Sequence, residues 1–245
     1  MRNWICSIVI VLLSLTTTEV IGQVIVERDV DTVARKINIG PNRQFYFQTV
    51  MGYGLVASRA EQGAKVNWWS TQFHYGFRFK WKLWRHQSLL SELYYINDRY
   101  VINQKQVKRL PIDAVSHKRE RISTNSLSLL LGHRFVYSNK GNVSGNYFDV
   151  GVYGSWSFWA ANVYVDQFAY ANDPRGKMIR SKTRWSQPNY LNDLNYGFYA
   201  RFGSEGVAIW ARYRYSDLIK DTLQPAINYP ELPRLFIGLE IAVPE

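Results

Sequence analysis

Between Thr71 and Trp84, apolar and polar residues alternate without a break. Phe73, Tyr75, Phe77, Phe79, Trp81 and Leu83 fall on one side of an extended chain; His74, Gly76, Arg78, Lys80, Lys82 and Trp84 fall on the other. Side chains point to opposite faces along a strand, so this segment predicts a strand with one greasy face and one mainly basic face. The same period recurs in eight segments, at about 43–58, 71–84, 87–102, 121–137, 146–159, 194–203, 206–216 and 234–243. The greasy faces carry large side chains: Leu127, Leu129, Leu131 and Phe135 in the fourth segment, Tyr196, Phe198 and Phe202 in the sixth, and Leu235, Ile237, Leu239, Ile241 and Val243 in the eighth.

The connections alternate in length. Long ones fall at 59–70, 103–120, 160–193 and 217–233, and short ones at 85–86, 138–145 and 204–205. Gly203-Ser204-Glu205-Gly206 and Lys140-Gly141-Asn142 carry the turn residues of the short connections. Long loops on one rim and short turns on the other predict an all-β fold, an eight-stranded antiparallel up-and-down transmembrane β-barrel. Hydrocarbon tolerates no open sheet edge, and closing the sheet removes the edges. A small soluble barrel would have to turn its greasy faces inward, and it has no room for so many aromatic rings.

The N-terminus changes the picture by adding an address. Arg2 precedes an apolar run at residues 4–15, and Val20-Ile21-Gly22 is a small-residue exit. This predicts a cleaved secretory signal peptide at 1–22, a periplasmic segment at 23–42 and the barrel at 43–245. The single cysteine is Cys6, so the mature chain relies on no disulfide. Aromatics make up 16% of the chain, too many for a disordered segment, and the formal net charge is +11. In an exported protein, that charge points away from nucleic acid and toward outer-membrane lipid, lipopolysaccharide or an acidic partner.

Parity places eleven ionic residues inside the barrel. The bases Arg78, Lys80, Lys82, Arg134, Arg201, Arg212 and Arg214 face the acids Glu92, Asp98, Asp149 and Glu240. The expectation is a packed lattice of ion pairs; its surplus of bases leaves room for water or an anion. Six outward aromatics near strand ends (Phe45, Trp81, Tyr137, Phe158, Tyr196 and Tyr215) fit interfacial girdles. Loop 160–193 carries the basic run Arg175, Lys177, Arg180, Lys182 and Arg184, followed by Trp185, a candidate contact with lipid or a partner.

Catalytic chemistry is not legible. His74, His86, His117 and His133 show no metal-ligand spacing. Nucleophile-elbow, zincin and phosphate-loop motifs are missing from the sequence. His74 is inward and expected to meet a carboxylate such as Glu92, and parity assembles no His–carboxylate or Ser–His pair at the outer rim. No catalytic residue, cofactor or metal is therefore expected.

Several segments resemble a known family: Gly40-Pro41-Asn42-Arg43-Gln44-Phe45-Tyr46-Phe47, Asn195-Tyr196-Gly197-Phe198-Tyr199-Ala200-Arg201, Tyr213-Arg214-Tyr215-Ser216-Asp217-Leu218, and Tyr229-Pro230-Glu231-Leu232-Pro233-Arg234-Leu235-Phe236-Ile237-Gly238-Leu239. Together they look like the PorT-like outer-membrane β-barrels of Gram-negative bacteria. The resemblance implies a barrel without catalytic motif, and for some relatives a link to secretion and surface-protein export. The sequence thus leads to a non-enzymatic barrel with a structural or accessory role. The alternative is a barrel that takes an anionic ligand in its basic lumen or on a loop.

Overall fold

The computed structural model describes residues 44–58, 66–104, 117–140, 143–169, 178–188, 190–204, 206–220 and 231–244. The signal peptide, the 23–42 segment, Arg175 and Lys177 lie outside the described residues. The strands are β1 (Phe45–Val56), β2 (Thr71–Trp84), β3 (Gln87–Ile102), β4 (Arg119–Val136), β5 (Asn139–Lys140), β6 (Val143–Ser144), β7 (Tyr147–Ala169), β8 (Met178–Ser186), β9 (Leu194–Ser204), β10 (Val207–Arg214) and β11 (Leu235–Pro244).

Every pairing is antiparallel. The order runs β4, β3, β2, β1, β11, β10, β9, β7, and β4 pairs with β7 to close the ring. β8 and β9 share one place in that ring: β9 pairs with residues 147–156 of β7, and β8 pairs with residues 161–169. The ring therefore has eight strand positions, the sixth interrupted at residues 187–193. β5 and β6 form a small separate hairpin in the β4–β7 connection.

The greasy faces point outward all the way round. Phe77 is 39% exposed, Leu129 52%, Ile209 56% and Leu239 60%. These exposed residues repeat at every second position, so they form a continuous band. Soluble proteins rarely expose apolar patches beyond a few hundred Å².

Inside, bulky rings lie across glycines on neighbouring strands. Gly54 pairs with Gly238, which pairs with Trp210, and the Trp210 indole fills the space a Gly54 side chain would need. Gly132 pairs with Gly151, which pairs with Tyr199, and the Tyr199 ring covers both. Small residues opposite large ones let a narrow ring pack its interior.

Two irregularities shift parity. A bulge between Lys82 and Trp84 leaves Trp84 exposed, not inward as alternation predicts. A second sits opposite Asn125 and Ser126: Asn125 pairs with Trp159 and Ser126 with Ser157, so Phe158 is the extra residue. Beyond it β7 continues to Ala169. The expected loop at 160–193 is thus largely a β7–β8 hairpin, and the sequence reading is corrected there.

Candidate functional site

Three regions carry chemistry: the interior lattice, the rim formed by the long connections, and the basic outer face of the β7–β8 hairpin.

The interior lattice is built from β2, β3, β4, β7, β9 and β11, each contributing inward positions. Arg78 is fully buried and donates from Nε to Glu92 at 2.6 Å, from Nη2 to the Tyr94 hydroxyl at 3.2 Å, and to Glu240. Arg201 donates from both Nη atoms to the two Glu92 oxygens at 2.9 Å and from Nη1 to Asp149 at 3.0 Å. Its Nε lies 3.0 Å from Glu240. Arg134 grips Asp149 with two hydrogen bonds, at 2.7 and 2.8 Å, and stacks 3.7 Å from the Tyr147 ring. Tyr94 donates its hydroxyl to Glu92. Three arginines thus share three carboxylates in one connected network. Burying charge is tolerable when each ion is paired and hydrogen-bonded in this way.

His74 meets Glu240 at 3.2 Å, not Glu92. His74 and Glu240 are register partners of the same residue, Gly52, whose missing side chain lets the ring reach across β1. Tyr94 takes the place beside Glu92 that the sequence reading gave to His74.

Lys80 sits 5.6 Å from the Tyr46 ring, and Lys82 is half-buried. Toward the long connections, Asp98 accepts from Gln72 at 2.6 Å, and Arg212 lies 4.1 Å from the Tyr153 ring and 3.4 Å from Ser128 Oγ. Arg214 pairs with Glu231 at 2.7 Å, an acid that the sequence reading left in a loop. The cavity beside Arg212, Arg214 and Asp98 measures about 20 Å³, room for about one water.

Above it the rim folds inward. Tyr190, Leu191, Leu218, Ile219 and Leu232 pack against Tyr100, Ile122, Trp210 and Phe236 in one buried apolar cluster. Glu231 also accepts from the backbone N–H groups of Leu218 and Ile219, at 3.0 and 3.3 Å.

The rim also holds a pair that parity did not assemble. His117 Nδ1 lies 2.8 Å from Asp166, and its ring stacks 4.5 Å from Tyr164. The sequence reading left both residues in loops, at 103–120 and 160–193, where parity assigns no facing. The pair orients an imidazole, and it supplies no nucleophile of its own. No cluster of three His, Cys, Asp or Glu side chains suited to a metal occurs among the described residues.

On the outer face, Arg180, Lys182 and Arg184 occupy alternate positions of β8, and Trp185 is exposed. Across β7 stand Arg119 and Arg121 of β4, and Arg99 of β3 lies one strand further. Sequence reasoning missed these three. Their signal was the i, i+2 spacing of Arg119 and Arg121, in phase with Leu127, Leu129 and Leu131.

No family model and no curated protein matches the chain. Among solved structures, the chain is similar to Ail, the attachment invasion locus protein of Yersinia pestis, at 10% identity, covering 82% of this chain and 100% of that one, with a TM-score of 0.37. It is also similar to the same protein in complex with the heparin analogue sucrose octasulfate, at 13% identity, with the same coverage and a TM-score of 0.33.

Proposed function

We propose that the chain is an eight-stranded transmembrane β-barrel of a Gram-negative outer membrane, delivered by its signal peptide, with a structural or accessory role and no catalysis. The observation that carries this reading is the continuous outward band of exposed aromatic and aliphatic side chains around a ring whose interior is charged. Such an inside-out arrangement suits hydrocarbon outside and a polar interior. Aromatic residues at both ends of the band support it: Phe45 and Trp81 stack at 6.1 Å near the short turns, and Tyr196 and Tyr215 lie 6.0 Å apart near the long connections.

The PorT-like resemblance adds a direction. It suggests a protein that supports secretion or surface-protein assembly through its long connections. For the rival reading, a ligand in the lumen, the filled interior leaves too little space. An anionic ligand is better served by the outer basic face.

Single cysteines at Asn172 and Ser204, in separate variants, test the topology on intact cells with a membrane-impermeant maleimide. Labelling at 172 and not at 204 is the expected result. Labelling at neither, with the protein released as soluble periplasmic material, overturns the membrane reading.

A further inference from the structure

The outward face of β7 carries Val163 and Val165 between two rows of cations. Val163 pairs with Arg121 on one side and Arg184 on the other; Val165 pairs with Arg119 and Lys182. Adjacent strands lie about 4.8 Å apart, so each cation pair straddles its valine with backbones about 10 Å apart. Arg180 and Arg99 extend the array along β8 and β3. Arg119, Arg121, Arg180 and Lys182 line a cleft of about 110 Å³ floored by the two valines.

Among the described residues, none of the six cations has a carboxylate partner. The nearest acids on the same strands are engaged elsewhere. Glu120 accepts from Gln104 and Asn162, each at 3.1 Å, and Asp166 pairs with His117. Arg121 Nε is buried without a hydrogen-bond partner. Like charges side by side on neighbouring strands oppose folding, and a buried donor left unpaired costs more. The unpaired Arg121 donor calls for an explanation, and an anion outside the chain is one that also suits the exposed cations around it.

The array also has a definite height. Moving out along these strands, the apolar row of Tyr95, Leu127 and Trp156 gives way to Asn97, Asn125 and Trp159, and then to the cations. Arg184 lies 4.5 Å from the Trp159 ring, which joins the array to the aromatic level. Aromatic rings sit where hydrocarbon meets headgroups, so the next rows outward meet headgroup phosphates.

Resting on the barrel reading above, we propose that the outward face of β3, β4 and the β7–β8 hairpin binds phosphate groups of anionic lipid headgroups in the surrounding leaflet. The guanidinium groups supply paired donors that fit phosphate oxygens. The contact anchors the hairpin, which stands beyond the ring position that β9 completes.

The test uses the full mature chain refolded into phosphatidylcholine vesicles containing increasing fractions of bis-phosphorylated lipid A. Capture of a fluorescent lipid A analogue by the protein gives the affinity. The triple variant Arg119→Gln, Arg121→Gln, Arg184→Gln is compared with Lys220→Gln, a cation at the same end outside the array. Each membrane-surface cation contributes about fivefold, so the triple variant loses on the order of a hundredfold in apparent affinity, while Lys220→Gln keeps it. Inorganic phosphate does not compete at equal phosphate concentration. Equal lipid A binding by wild type and triple variant overturns the proposal. So does competition by inorganic phosphate alone, or Arg-dependent binding of a soluble sulfated polysaccharide with no lipid A preference. Failure of the wild type to insert into any vesicle is a different result: it overturns the barrel reading itself.

Discussion

Trp210 and Gly54 illustrate how single residues set the interior. The indole crosses β11 and lies over Gly54, and its Nε1 donates to the Leu239 carbonyl at 3.1 Å. Gly54→Leu forces the indole out of place and costs about 1–3 kcal/mol, read from urea unfolding in vesicles. The same change made in a Trp210→Ala background costs less, because the competing ring is gone; a strictly additive cycle contradicts this packing. On the opposite face, Phe77 is paired with Thr49 and Leu93 within the outward band. Phe77→Arg costs roughly 2–4 kcal/mol if it lies near the bilayer midplane, whereas Phe77→Leu is nearly silent. Equal stabilities for the two variants remove Phe77 from the lipid face.

At the scale of the element, alternation made most strands legible because one face is apolar and the other is charged. β2 and β3 have the very bounds that the pattern gives, and most other ends agree within a residue or two. The interior ions of the central network were legible for the same reason: parity alone brings Arg78, Arg201, Glu92 and Glu240 to one side. Their pairing was not legible, because it depends on which residues lack side chains. His74 reaches Glu240 only over Gly52. β8 was hidden for a different reason. The Phe158 bulge reverses the phase of β7, and alternating cations on β8 read as a solvated loop. Deleting Phe158 joins Ser157 directly to Trp159, so the ladder runs unbroken while every later residue keeps its face: Val163 and Val165 stay outward, and Asn162, which donates to Glu120, stays inward. The expected outcome is a variant that keeps the folded, faster-migrating band on gels run without boiling. Loss of that band contradicts a bulge that is a single extra residue in an otherwise regular ladder.

For the whole molecule the question is whether the ring is a pore. Its interior is closed at two levels. The Arg78–Arg201–Arg134 network spans the section between β2 and β9, and the cluster of Tyr190, Leu191, Leu218, Ile219 and Leu232 fills the end near the long connections. Between them lies a cavity of about 20 Å³ beside Arg212 and Arg214. An eight-strand ring is just wide enough for its own side chains, so polar residues inside it pack and stiffen and leave no aqueous path. The intact protein in a planar bilayer is therefore expected to show no steady ionic current. Arg201 is the side chain that joins most of the network, touching Glu92, Asp149 and Glu240. Arg201→Ala leaves those carboxylates short of a cation in a buried place and costs about 3–5 kcal/mol in the same urea assay. Steady conductance by the wild type, or an Arg201→Ala variant as stable as wild type, contradicts a closed and load-sharing interior. With the interior closed, exchange with the surroundings falls to the outer surface, where the long connections and the basic face of the β7–β8 hairpin stand.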